Sequence, residues 1–481
     1  MITIKTPHPL RALSAIGFAV LLLATPSALA EVKTWNTGDG TWQTGANWAP
    51  TGEPASTDGV NIFRPTDQDQ PFTIDFTGDA TVTRLYLGIS SNGVASSTPV
   101  QTTLDLTGGH KLSITGTSSS SLAFGATNGS GDVSLTITGG TVEALNLRIW
   151  GTAGTTSTSY LYITGSAAVL NTRNLTGGQN SFIGSNSPGE VHVTGGASYI
   201  TGSSERTNVG AAGGANGNGK LFIQGVGSNY SGNYNTFIAW GGTGQLEVSG
   251  GGSFSEGTFN MAGVDNTLAT TLISGTGSSF AATNVNIGTQ AYFPGVDAGS
   301  GTNRVGTLTV ADGATATAGL LNLRGSLSTL ALDGSTMTVT GNNNATLSNS
   351  AAFFDADATL RMTLDSTLTP AALQVTNRLQ ITGAALDILL SGTFSVSLDD
   401  VFTVANYGAL TGTFAGLNQN ATFAVGAQTF QIDYGSGVND AITLTSVVPE
   451  PSITGLLLGA TAALALVRRR SGNRSSAPLL T

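Results

Sequence analysis

A short phrase recurs through the middle of this chain: two apolar residues separated by one position, then Gly and a run of small residues. Its second apolar position falls at Ile114, Ile137, Ile163, Val193, Ile223, Val248, Ile273 and Val310, spaced by 23, 26, 30, 30, 25, 25 and 37 residues. Two positions earlier stand Leu112, Leu135, Leu161, Val191, Leu221, Leu246, Thr271 and Leu308. Side chains at i and i+2 share one face of a strand. A second phrase with the same period lies between these, as in Leu145-Asn-Leu-Arg-Ile149, Val285-Asn-Ile287 and Leu321-Asn-Leu323. Two such short strands cannot bury an apolar face alone. Stacking copies along an axis buries it continuously.

A repeat near 25 residues fits one coil of a right-handed parallel β-helix, with residues 81–350 forming the solenoid. At roughly 4.8 Å per coil, about ten coils would give a rod some 50 Å long. A β-propeller or sandwich would need regular hairpin turns, whereas these turns are Gly-Gly, Gly-Ser and Asn-Gly at varying lengths. With 40% hydrophobic residues the chain is too apolar for disorder, so an all-β fold is expected. Two flanking blocks break the repeat. Residues 31–80 carry Trp35, Trp42 and Trp48, and residues 351–446 carry longer alternating runs such as 379–390. The ends of a stacked rod expose unpaired strand edges, so both blocks are read as β caps.

The two chain ends have a different grammar. Lys5 and Arg11 precede an apolar run from Ala12 to Ala24, and Ala28-Leu29-Ala30 supplies a small-x-small cleavage site. Residues 1–30 thus read as a helical signal peptide cut by signal peptidase before Glu31, with a retained anchor as the alternative. Residues 447–481 hold Pro449-Glu450-Pro451, an uncharged apolar stretch from Ser452 to Val467, then Arg468-Arg469-Arg470. That stretch is read as a short transmembrane helix whose arginines stay cytoplasmic, leaving the body outside. Between the signals, residues 31–449 hold 12 basic against 27 acidic residues, a net of −15. Phosphate backbones repel such a surface, so nucleic acid is an unsuitable partner. The absence of Cys removes disulfides and thiolate metal sites.

The order Pro-Glu-Pro, short apolar helix and arginine cluster closely resembles the PEP-CTERM sorting signal. That resemblance implies recognition of Pro449, Glu450 and Pro451 by an exosortase in a Gram-negative cell that makes exopolysaccharide. It further implies passage through the inner membrane, then residence at the cell surface or in the extracellular matrix. The Trp-rich head and the segments 407–416 and 430–444 resemble parts of autotransporter passengers. No outer-membrane barrel follows them, so self-translocation is not implied.

No catalytic motif stands out: there is no nucleophile elbow, phosphate loop or zinc-protease helix. His110 and His192 are the two histidines of the mature body and lie in different repeats. Asp355 with Asp357, and Asp399 with Asp400, are read as solvated turn or edge residues; no metal or cofactor is expected. A sharper candidate comes from the residue just before each repeat position. That outward column contains Thr136, Tyr162, His192, Phe222, Glu247, Leu272 and Thr309, flanked by Tyr160, Glu190, Lys220 and Gln245. Tyr162, His192 and Phe222 on successive coils form a candidate glycan platform, or else simply hold neighbouring coils together. Asn146, Asn260, Asn286 and Asn322 recur in the second phrase and are expected to face outward. The leading expectation is a non-enzymatic matrix or surface protein associated with exopolysaccharide or adhesion. A polysaccharide lyase or hydrolase on the same scaffold is the alternative.

Overall fold

The computed structural model describes residues 30–63, 71–88, 100–117, 121–125, 132–151, 156–172, 180–211, 217–288, 303–324, 327–341, 352–356, 358–364, 372–392 and 394–448. Among them the chain is almost wholly β, built as a solenoid of two sheets with 13 and 25 strands. One coil shows the plan. Pro188–Thr194 joins the smaller sheet, Ser198–Thr201 and Arg206–Val209 form two faces of the larger, and Asn218–Gln224 opens the next coil. In three later coils the two faces merge into single strands, Ser253–Met261, Ser279–Ile287 and Thr315–Leu323, before separating again at Thr336–Val339 and Ala352–Phe354.

Period-two apolarity fixes the register. Ile137, Ile163, Val193, Ile223, Val248, Ile273 and Val310 stand opposite one another on successive coils. All are sealed from solvent. Burying each such side chain stabilises the fold by about 1.5–3 kcal/mol, and a slip of one residue would turn the whole row outward. The hydrogen bonds holding the coils run along the rod axis, as where Ser279 N donates to Gly252 O at 3.0 Å. Corners end the strands. Gly225 and Gly275 take φ of 90° and 85°, a region costly for residues with a Cβ, and Ser228 N and Ser278 N turn back to their carbonyls.

One repeat position is corrected by the register. Ile114 belongs to the larger sheet, opposite Val82 and Ala144, and the smaller-sheet partner of Ile137 is Leu104. The same Leu-x-Ile phrase serves both sheets, so pattern alone cannot tell them apart. Parallel pairing also reaches outside the 81–350 span, from Val32 opposite Gly59 to Leu373 opposite Ala405. Antiparallel pairs close the ladder at both ends. At the front, Trp35 pairs with Trp48 and the rings of Trp35, Trp42 and Trp48 pack edge to face. At the back, Val401–Thr411 pairs with Asp440–Val447, which pairs with Gln428–Asp433.

The asparagines are also corrected. Asn260 and Asn286 are buried, and Asn322 is half-buried. Asn286 Nδ2 donates to Asn260 Oδ1 at 3.1 Å, and Asn322 Nδ2 to Asn286 Oδ1 at 2.9 Å. Stacking their amides satisfies groups that would otherwise lose water without compensation. Asn146 lies apart from this ladder, at a buried corner where its Oδ1 accepts from Ser121 N at 2.8 Å.

Candidate functional site

The smaller sheet holds 13 strands, and its outer face carries the expected column. Thr136 stands opposite Tyr162, Tyr162 opposite His192, His192 opposite Phe222 and Phe222 opposite Glu247. All five are half-buried. Strand alternation turns them outward because their neighbours Ile137, Ile163, Val193, Ile223 and Val248 fill the core.

The rings sit at the coil spacing. Tyr162 and His192 have centroids 5.0 Å apart at 24°, and His192 and Phe222 are 4.6 Å apart at 16°. At that spacing rings cannot lie flat side by side. They stand on edge and stack, offset, along the rod axis. The middle of the row therefore spends its ring faces on its own members and shows solvent only edges.

Polar groups border the row. Glu190 accepts from Lys220 Nζ at 2.7 Å and lies 3.1 Å from His192 Nε2, so one carboxylate serves both. The Glu190 side chain is 15% exposed and that of Lys220 34%, which leaves the pair half in water. On the Phe222 side, Glu247 Oε1 accepts from Gln224 Nε2 at 2.9 Å and from Ser249 Oγ at 3.0 Å. Burial holds the Tyr162 phenol above its usual pKa, with Tyr160, Glu190 and Asp132 acting in the same direction.

The other candidate residues do not converge. His110 lies in the Gly-Gly turn before Lys111, on a different coil from His192. Asp399 occupies a left-handed turn position with φ of 66°, and Asp400 Oδ2 accepts from Ser397 N at 2.7 Å, closing that turn. Asp357 lies outside the described residues, as do Ala28, Pro449, Glu450, Pro451, Arg468, Arg469 and Arg470. Ala30 is exposed at the start of the described chain. No helix among the described residues is long and apolar enough to cross a membrane. Among them, no three His, Asp or Glu side chains group as a metal site would require.

Sequence reasoning missed an acid cluster inside the rod. Glu205 and Glu256 are buried at the corner between the two faces of the larger sheet. Ser181 Oγ donates to Glu205, and Gly202 N donates to it at 3.3 Å. Glu256 accepts from Thr236 Oγ1 at 2.7 Å, from Tyr230 OH at 3.3 Å, and from the amides of Tyr234 and Gly257 at 2.8 Å. Burial pushes the Glu205 carboxyl up to about 8 and raises that of Glu256, against the pull of their hydrogen bonds. The available signal was a register position occupied in turn by Thr172, Thr201, Gly232 and Glu256, where later coils place Ala282 and Ala318. No family model, curated protein or solved structure matches the chain.

Proposed function

We propose that this is an exported, non-enzymatic protein of the cell surface or extracellular matrix, carried on a right-handed solenoid and associated with exopolysaccharide. The observation that carries the reading is the outward row Tyr162–His192–Phe222, bordered by Glu190 and Lys220, on the 13-stranded sheet. Aromatic carbon beside hydrogen-bonding groups suits sugars, which have apolar C–H faces and hydroxyl rims. The chain-end signals supply the route: cleavage after Ala30, passage as a membrane-held intermediate through the 452–467 helix, and exosortase recognition of Pro449-Glu450-Pro451.

Co-sedimentation of the mature chain with neutral and acidic polysaccharides, with polymer length followed in parallel, tests the reading. Retention of a polymer at unchanged length is the expected result. Shortening of any polymer would replace it with the lyase or hydrolase alternative.

A further inference from the structure

The aromatic row has two ends, and they are unlike. At the Phe222 end the next coil presents Glu247, a long side chain drawn together by Gln224 and Ser249. The column thus continues past Phe222 with a carboxylate. At the Tyr162 end the next coil presents Thr136, which stops at a hydroxyl and a methyl. The coil beyond it carries Thr103 in the same column. Among the described residues, no ring continues the stack in that direction.

The open end is also broader than the row itself. Tyr160 lies on the same strand as Tyr162, its ring within 10° of parallel and its centroid 6.0 Å away. Tyr162 is stacked along the rod axis with His192, so a ring nearly parallel to it and displaced along the strand must lie beside it rather than over it. The two phenols present nearly parallel rings to the neighbouring coil, whose outward side chains are short. Ser134 stands opposite Tyr160 and Thr136 opposite Tyr162, both hydroxylated. Asp132 lies one alternation further along the same strand face, its Oδ1 accepting from Thr158 N at 2.8 Å.

Resting on the glycan reading above, we propose that the sugar-binding locus is this ledge, Tyr160 and Tyr162 over Ser134 and Thr136, and that it takes a neutral pyranose of a polysaccharide chain. The gap left where a ring would continue the stack is one coil deep, about 4.8 Å. That matches the centroid spacing of aromatic pairs, 4.5–7 Å, and so leaves room for one ring-sized group. A pyranose occupies it as the next member of the row, its C–H face on the phenols and its hydroxyls over Ser134 and Thr136. The body's net charge of −15 and the nearby Asp132 disfavour uronate or sulfated polymers. His192, stacked on Tyr162, holds the phenol wall upright.

The test uses the purified chain with dextran and galactomannan as neutral probes and alginate as the acidic one. Thr136→Trp continues the ring column into the gap on an outward-facing position. It is expected to weaken neutral-polymer binding at least tenfold with the thermal midpoint unchanged. Tyr160→Ala with Tyr162→Ala removes the wall and should give the same loss, which keeps the test decisive should the Trp variant misfold. Thr309→Ala, in the same column three coils beyond Phe222, should stay within twofold of the parent. If the parent binds a neutral polymer while the filled and wall-less variants bind it equally well, the ledge is overturned and the glycan reading survives. Preference for alginate over both neutral probes overturns the assignment to neutral sugars. A parent that binds none of the three overturns the glycan reading itself.

Discussion

Two aromatic rows climb this solenoid, one outside and one inside. Outside, Tyr162, His192 and Phe222 stack on the smaller sheet, half in water. Inside, Tyr230, Phe254 and Phe280 stack on the larger sheet at 4.8 and 5.3 Å, within 4° of parallel and sealed from solvent. The spacing is common to both because the coil repeat imposes it. What differs is the surroundings: water and an ion pair on one side, a close-packed core with two carboxyls on the other. Identical stacking geometry thus yields a half-exposed row in one place and a cohesive spine in the other.

The largest effect expected from breaking this comparison is in the inner row. Phe254 lies between Tyr230 and Phe280 and also packs edge to face on Phe259. Phe254→Ala should cost about 3–5 kcal/mol, read as a large fall in urea midpoint. Tyr162→Ala in the outer row should cost less than about 1 kcal/mol. Equal losses at the two sites would show that burial is not what separates them.

A second contrast is in pH response. The Glu205 carboxyl titrates near 4.5 when unfolded and is pushed up to about 8 by burial in the fold. Between those values the folded state binds the extra proton, so stability falls as pH rises from about 4.5 to about 8 and levels off above. Glu205→Gln should flatten that slope, by on the order of a few kcal/mol across the window. The check is the unfolding midpoint of both proteins at pH 5 and pH 9; parallel declines would remove Glu205 as the cause.

Smaller effects sharpen the picture. Asn286→Ala removes the middle rung of the amide ladder and strands its partners on Asn260 and Asn322. A loss of about 1–3 kcal/mol is expected from leaving buried amides unpaired, visible as a lowered urea midpoint. Lys220→Met opens the half-exposed pair with Glu190, and exposed pairs contribute about 0–1 kcal/mol. Its midpoint should stay near that of the parent, and a drop comparable to that of Asn286→Ala would place the pair among the core contacts.

The outer row was legible in the sequence because alternation within a strand says which residues share a face, and equal phrases say which residues share a column. Tyr162, His192 and Phe222 stand in the order and register that rule gives. The rule fails where two sheets use the same phrase, as at Ile114, and where an outward-turned position is nonetheless buried, as at Asn260 and Asn286. It is silent on corners, whose lengths vary. Glu205 and Glu256 sit at such corners, and whether a corner points a carboxyl inward depends on neighbouring coils rather than on local pattern. The unequal ends of the outer row needed geometry as well. Only ring orientation shows that the rings of the row stack on one another.

The axial direction of the inter-coil hydrogen bonds has a mechanical consequence. Tension applied between the two ends of the chain would load those bonds coil by coil, like a zipper, rather than all together. Spacings of 25 to 37 residues per coil in the later repeats would each release about 80–130 Å of slack at roughly 3.3–3.6 Å per residue. A tethered rod of this kind would yield under a pull by paying out thread from one end, while the coils still wound kept their outer face intact.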